Sequence, residues 1–371
     1  VPGIRRSVTP IVTLLSSNVL GAIAGGVCFL VASRRFALDE MGRYGMAIGI
    51  QWVMVGLLGS GLSVAVIRLA ADALASEDRP AAFGIVVAGI AIAAGVSVVL
   101  AVAGALAGGA AAGAPFGLGG STLGWVALWG GGRSMLDCVR SGLLVERRYG
   151  RAAALMVLSA VTGLTTLLVV WLGGPLDLRR MLIAHTVGLG SAAVIGLVLL
   201  APMASSGFRL PGSGVRALLT YARWPSISEG ARMLQTNLGP FLLTATIGES
   251  AAGLFVLGRY PAYVFEVVAI GLYQYWLPEA ARQRGHEAFS RFLGIQVRLA
   301  AMVGAGMIVG SIVARPLLPW LAPNFAAVGV LFVINTVDFA LFLLARPIES
   351  VFHGMHRPGL EFALRVARIP P

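Results

Sequence analysis

Apolar residues in this chain come in runs of about twenty or more, separated by short gaps holding Arg, Asp, Glu, Pro and Gly. At 1.5 Å of helical rise per residue, about twenty apolar residues cross a hydrocarbon core about 30 Å thick. Ten such spans are predicted, near 8–31, 44–67, 81–106, 123–145, 152–172, 181–200, 217–247, 251–277, 292–313 and 325–344. Most connections between them are short, as between consecutive antiparallel helices. None has room for a domain outside the membrane. The pattern predicts an all-α polytopic membrane protein.

The longest connector of low hydrophobicity, residues 201–214 (APMASSGFRLPGSG), comes after the sixth span and reads as a flexible linker. The chain on its C-terminal side resembles the chain on its N-terminal side. Gly42-Arg43-Tyr44 after the first span is echoed by Gly253-Leu254-Phe255 after the seventh, and Arg148-Tyr149-Gly150 after the fourth by Arg357-Pro358-Gly359 after the tenth. Both pairs lie at nearly the same offset. A repeat with an even number of spans per copy is parallel, and substrate sites in such transporters lie near the midplane at the repeat interface. The organisation expected is a six-helix lobe over 1–201, a cytoplasmic linker over 202–216, and a second lobe over 217–371. That second lobe has four spans and the start of a fifth, so it reads as truncated.

Composition sharpens the class. Hydrophobic residues make up 57% of the chain, charged residues 12%, and the mean hydropathy is +0.86, which excludes an ordinary soluble domain. The formal charge of +12 comes entirely from arginine, since the 28 basic residues include no lysine. These arginines are dispersed in the gaps between spans rather than clustered, which argues against a nucleic-acid partner. Counted on alternate sides, eighteen fall on one and six on the other, with Arg133, Arg232, Arg259 and Arg298 left inside spans. The positive-inside rule then puts the N-terminus in the cytoplasm. Cys28 and Cys138 fall inside apolar runs and imply no disulfide framework. The first apolar run is too long for the core of a cleaved signal peptide, so it is expected to remain as the first span.

Chemistry concentrates where ionisable residues interrupt apolar runs, because a charge at mid-membrane costs about 2.5–3.5 kcal/mol on insertion scales and faces a bundle interior or a wet cavity. Arg133, Asp137 and Arg140 share one face of the fourth span. Glu229, Arg232 and Thr236 share a face of the seventh, and Arg259, Tyr263 and Glu266 a face of the eighth. Arg133 with Asp137, and Glu229 with Arg232, read equally as intrahelical pairs that ease insertion; Arg259 has no acid one turn away. In the tenth span, Asp338 with Asn335 one turn before it is a candidate site for a coupling proton or Na⁺, or else a partner of Arg298 in the neighbouring span. His185 reads as a satisfied core histidine. Tyr260, Tyr263, Tyr273, Tyr275 and Trp276 could stack on sugar rings, although Trp276 and its neighbouring tyrosines fit interfacial anchors better. No metal-ligand spacing, nucleophile elbow or phosphate-cradling glycine loop occurs in a fitting context, so no cofactor, metal or catalytic residue is assigned.

Several short motifs carry a family resemblance. The run from Leu38 to Ala47 (LDEMGRYGMA) is similar to the L-x-x-x-x-[FY]-G turn after the first helix of polysaccharide-biosynthesis membrane proteins, the oligosaccharide and lipopolysaccharide flippases of the MOP superfamily. Gly59-Ser60-Gly61-Leu62 followed by Arg68 resembles the end of that family's second helix. LLVERRYGRAA over 143–153 resembles its cytoplasmic turn between helices four and five, and SAAGLFVLGRY over 250–260 the start of the second lobe's second helix. The chain departs from the family late in helix seven, where many members carry an Asp and this one has Asn237 and Gly239.

The resemblance implies a MATE-like, V-shaped pair of six-helix lobes in the bacterial inner membrane. It also implies alternating-access export of polyprenyl-(pyro)phosphate-linked oligosaccharides or related glycolipids for surface polysaccharide such as lipopolysaccharide O-antigen. The family's cavity is often cationic. Arginine binds phosphate through a planar fork of donors, so Arg133, Arg232 and Arg259, with Tyr263, become candidate head-group ligands. Asp137, Glu229 and Glu266 become their charge partners, and polysaccharide polymerase or export machinery a candidate protein partner. A multidrug/cation antiporter of the same superfamily is the alternative within transporters, but it favours acidic cavities. A membrane polysaccharide polymerase or ligase is the alternative from another class, but it usually presents catalytic groups on a sizeable outward loop, and the 107–120 loop has no ionisable side chain.

Overall fold

The computed structural model describes residues 2–110, 118–205, 207–210, 212, 214–266, 269, 272, 276, 286–321 and 323–354. Tyr273, Tyr275, the second copy of the Arg148 turn at 357–359 and the tail beyond it lie outside the described residues, as do residues 111–117 of the 107–120 loop. The described residues contain helices and turns but no strand. All ten predicted spans contain helix. In order these are α1 (Pro2–Arg35), α2 (Leu38–Met54) running through a π-helical segment (Val55–Ser60) into α3 (Gly61–Ala75), α4 (Arg79–Ala110), α5 (Gly120–Val145), α6 (Tyr149–Leu172) and α7 (Leu178–Leu199). After the short α8 (Ala201–Ala204) come α9 (Gly214–Thr246), α10 (Glu249–Arg259) with a 3₁₀ turn at Tyr260–Ala262, α11 (His286–Ala314), the short α12 (Leu318–Leu321) and α13 (Gly329–Gly354).

Among the described residues, seven helices are long and apolar enough to cross a membrane. Two others, α5 and α9, fall short because Arg133, Asp137 and Arg140 interrupt one and Arg223, Glu229 and Arg232 the other. The apolar residues also face outward. Leu106, Leu172 and Val198 are each at least 70% exposed, as expected where lipid is the solvent.

Local chemistry sets the ends. Asp177 caps α7 by accepting from the Arg180 amide at 2.7 Å, and Asp78 accepts from Ala81 at 3.1 Å at the start of α4. Glu77 (φ 58°) and Arg147 (φ 57°) both adopt the left-handed conformation that closes a helix. The next amide returns in each case to a helix carbonyl, Asp78 to Ala73 and Arg148 to Leu143, both at 2.9 Å. The two turns are one device used twice, with a charged residue standing where glycine is usual.

The described chain divides into two compact units. Unit 1 comprises Val1–Cys28 and Gly42–Glu249; unit 2 comprises Phe29–Met41 and Ser250–Pro371. The core of unit 1 is formed by Leu62, Val66, Leu136, Val139, Leu155 and their neighbours. Within it α6 and α7 approach closely at small residues: a Cβ on Gly188 would lie 2.7 Å from Gly163 Cα. Thr162 and Thr166 donate across this contact to the Gly188 and Ala184 carbonyls at 2.8 and 2.9 Å. The connector after α8 is seated on α4: the Arg209 amide donates to Pro80 O at 3.1 Å, its guanidinium pairs with Asp78, and Phe208 packs edge-on to Phe83. A Cβ on Gly84 would meet the Arg209 carbonyl at 2.2 Å, so glycine is required for that approach.

The core of unit 2 contains Trp276, Phe292, Ala300, Met307 and Leu343. Trp276 is completely buried there and is neither the interfacial anchor nor the sugar-stacking ring that the sequence suggested. Phe29 stacks on Tyr260 at 3.8 Å in the same unit.

Candidate functional site

In unit 1, α5 and α9 each carry one intramembrane ion pair. Arg133 Nε reaches Asp137 Oδ2 at 3.4 Å, one turn along α5. On α9 the pair is tighter: Arg232 Nε lies 3.0 Å from both carboxylate oxygens of Glu229, and Nη2 donates to Oε1 at 2.6 Å. The side chains are 14% and 23% exposed, so this is a largely buried, multidentate pair. Thr236, on the same face, donates back to the Arg232 carbonyl at 2.9 Å. Asn237, where the resembled family often has Asp, is buried and donates to Met233 O at 2.8 Å.

Glu229 sits where α9 meets the π-helical segment. A Cβ on Gly56 would lie 2.9 Å from Glu229 O, and one on Gly230 would lie 2.3 Å from Leu57 Cδ2. π-helical turns are rare and recur at functional sites, and nothing in the run VGLLGS distinguishes one from a plain α-helix.

His185 is hydrogen-bonded to the Tyr44 hydroxyl at 2.8 Å and stacked on Trp129 at 4.4 Å. It is the satisfied core histidine expected from the sequence.

Unit 2 holds the arrangement of most chemical interest. Arg259 ends α10 and is 9% exposed. Local spacing offered it no acid, but α13 supplies one from far along the chain. Arg259 Nη1 donates to Asn335 Oδ1 at 3.1 Å and to Asp338 Oδ2 at 3.4 Å. Asp338 therefore pairs with Arg259, from the eighth span, rather than with Arg298 of the ninth. Three rings surround the guanidinium, with Phe339 at 5.2 Å, Tyr263 at 5.8 Å and Phe255 at 5.9 Å from its carbon, all within cation–π range. Arg259 Nε is buried with no hydrogen-bond partner, a donor whose desolvation costs about 1–3 kcal/mol if it stays unmet. Asp338, by contrast, is 63% exposed. A carboxylate about 14 Å into a membrane helix faces water or a polar ligand rather than lipid.

Arg259, Tyr263, Asn335 and Asp338 thus come together, with Glu266 one turn beyond Tyr263 on the same segment, while Arg133–Asp137 and Glu229–Arg232 stay on separate helices of the other unit. The rings of Phe255 and Phe339 were missed from sequence. Phe255 lies one turn before Arg259, a readable signal, whereas Phe339 reaches the site only through the packing of α10 on α13.

The described helices and their charged interiors define a multi-pass membrane protein, and its likeness to the solved structures that follow gives it a MATE-like fold. No family model and no curated protein matches the sequence. Among solved structures, the chain is similar to an inward-facing multidrug resistance MATE-family transporter of the MOP superfamily, with a TM-score of 0.69 and 14% identity over 90% of this chain and 83% of that one. An outward-facing multidrug resistance MATE-family transporter gives 0.68 at 14% identity, covering 97% and 85%. A MOP-superfamily transporter from Pyrococcus furiosus, described as having a binding pocket of reverse polarity that suggests a different function, gives 0.67 at 14% identity over the same shares.

Proposed function

We propose that this chain is an inner-membrane flippase or exporter. It moves a polyprenyl-(pyro)phosphate-linked oligosaccharide, or a related glycolipid, outward by alternating access with a cationic binding cavity. The observation that carries this reading is Arg259: a buried guanidinium, walled by aromatic rings, loosely held by Asn335 and Asp338, with one N–H still unmet. A phosphate accepts bidentately from that fork, and Tyr263 offers a ring face to an adjoining sugar. Arg133 and Arg232 serve as further cationic ligands where their pairs open. The Pyrococcus furiosus neighbour, with its reverse-polarity pocket, supports the idea that this fold accommodates more than cationic drugs. The proposed topology has a cytoplasmic N-terminus and lobes over 1–201 and 217–371, and polymerase or export machinery receives the product.

The test is Arg259→Ala in proteoliposomes loaded with a fluorescent polyprenyl-pyrophosphate-linked oligosaccharide. Export should fall at least about tenfold, as expected for loss of a charge-assisted ligand; unchanged export by a stably expressed variant refutes the reading. The second reading, a multidrug/cation antiporter, draws on the neighbours described as multidrug transporters and on the outward carboxylate of Asp338. It predicts ethidium efflux that is lost in Asp338→Asn and kept in Arg259→Ala.

A further inference from the structure

We propose that Asp338 is a built-in competitor for the anion-binding edge of Arg259: a resident carboxylate that a phosphate-type oxyanion must displace in order to bind. The inference rests on the head-group reading above and adds how that site discriminates and releases its ligand.

The two partners of the pair differ sharply in their surroundings. The Arg259 side chain is 11% exposed and that of Asp338 is 63% exposed, so the guanidinium is fixed while the carboxylate stands in open space. Their contact is a single long one, 3.4 Å to Nη1, and that nitrogen is shared with Asn335 Oδ1 at 3.1 Å. A carboxylate that sealed Arg259 permanently would sit bidentate at about 2.8 Å, the geometry the guanidinium fork favours, and the Glu229–Arg232 pair of this same chain comes close to it. Here Nε is left without a partner. The rings of Phe255, Tyr263 and Phe339 hold the cation in place whether or not Asp338 is engaged. The arrangement is a fixed cation with a weak, displaceable anion on it.

This geometry affects both selection and release. Oxyanions able to bridge two N–H groups and satisfy Nε outcompete Asp338, while a weak monodentate anion does not. Once displaced, the carboxylate lies close to the bound ligand and repels it, which speeds release. Asp338 thus trades affinity for turnover.

The experiment measures binding of inorganic pyrophosphate to the purified full chain by calorimetry, and of polyprenyl phosphate to the same chain in nanodiscs. Wild type, Asp338→Asn, Asp338→Ala and Arg259→Lys are compared, each with its melting temperature. Removing a half-exposed carboxylate competitor should tighten binding about three- to tenfold in both Asp338 variants, while Arg259→Lys, which loses the planar fork, should weaken it. Opposite shifts at unchanged melting temperature support the competitor role, since a merely structural Asp338 would not raise affinity. If both probes show the shift, the oxyanion alone is recognised; if only polyprenyl phosphate shows it, the ligand is the lipid head group. Unchanged or weaker binding in the Asp338 variants overturns the inference and leaves the head-group reading standing if Arg259→Lys still weakens binding. Absence of binding of either probe to any variant overturns it as well. Loss of export in Arg259→Ala is read separately, in the transport assay, so the two proposals fail independently.

Discussion

The Glu229–Arg232 pair on α9 supports a quantitative prediction that separates two meanings of an intramembrane charge. With three contacts of 3.0 Å or less and side chains no more than 23% exposed, neither partner has enough solvent to replace the other. Truncating one partner of a fully buried pair costs about 3–5 kcal/mol because a bare charge remains; the residual exposure here lowers the expectation to about 2–4 kcal/mol for Glu229→Leu or Arg232→Met alone. Replacing both by apolar residues of similar length, E229L with R232M, should return stability to within about 1 kcal/mol of wild type. The cycle should therefore show a coupling of at least ~2 kcal/mol. Reversible unfolding of the purified protein in mixed SDS micelles, monitored by circular dichroism, reads all four corners. Single and double effects that simply add would refute the argument, because the charges would then not depend on one another. Transport by the double variant decides the role of Arg232: intact stability with lost export makes it a substrate ligand, and intact export makes the pair a device for inserting α9.

Two further predictions concern packing and the aromatic cluster. Gly188→Leu must push α6 from α7, since even a Cβ meets Gly163 Cα at 2.7 Å; we expect a loss of about 2 kcal/mol or more in the same unfolding assay, where Gly190→Leu, with open space around its Cβ, should be near neutral. Tyr44→Phe removes the hydroxyl bonded to His185 and should cost about 1 kcal/mol, whereas His185→Phe in that background should cost little more, because neither polar group is then left unmet.

Much of this molecule was legible from periodicity and spacing. Helical rise and bilayer thickness place helix in every predicted span, seven of them long and apolar enough to cross a membrane among the described residues. The pairs at i,i+3 and i,i+4 form as read, because on a helix those positions are neighbours whatever the tertiary structure does. The reading reached its limit where chemistry depends on packing. Arg259 and Asp338 are 79 positions apart, and no local rule brings them together. Nor did local pattern distinguish a buried Trp276 from an interfacial one, since tryptophan near the end of an apolar run fits both. Spacing offered Arg298 as a cation partner for Asp338, as an alternative to an ion site, because adjacent spans are the default neighbours; the helix that supplies the cation comes one span earlier.

The π-helical segment between α2 and α3 has a consequence for how this chain tolerates change. A π-turn is an α-helix that has absorbed one extra residue, so Val55–Ser60 holds a spare position within an otherwise continuous span. Deleting a residue elsewhere in α2 or α3 turns everything beyond it by about 100° and swings Leu62, Ala65 and Val66 off the core they fill. Deleting one within 55–60 instead restores ordinary winding and leaves those side chains at their addresses. Insertions and deletions along this helix are therefore not equivalent, and the spare residue marks the one place where its length and its facing can vary independently.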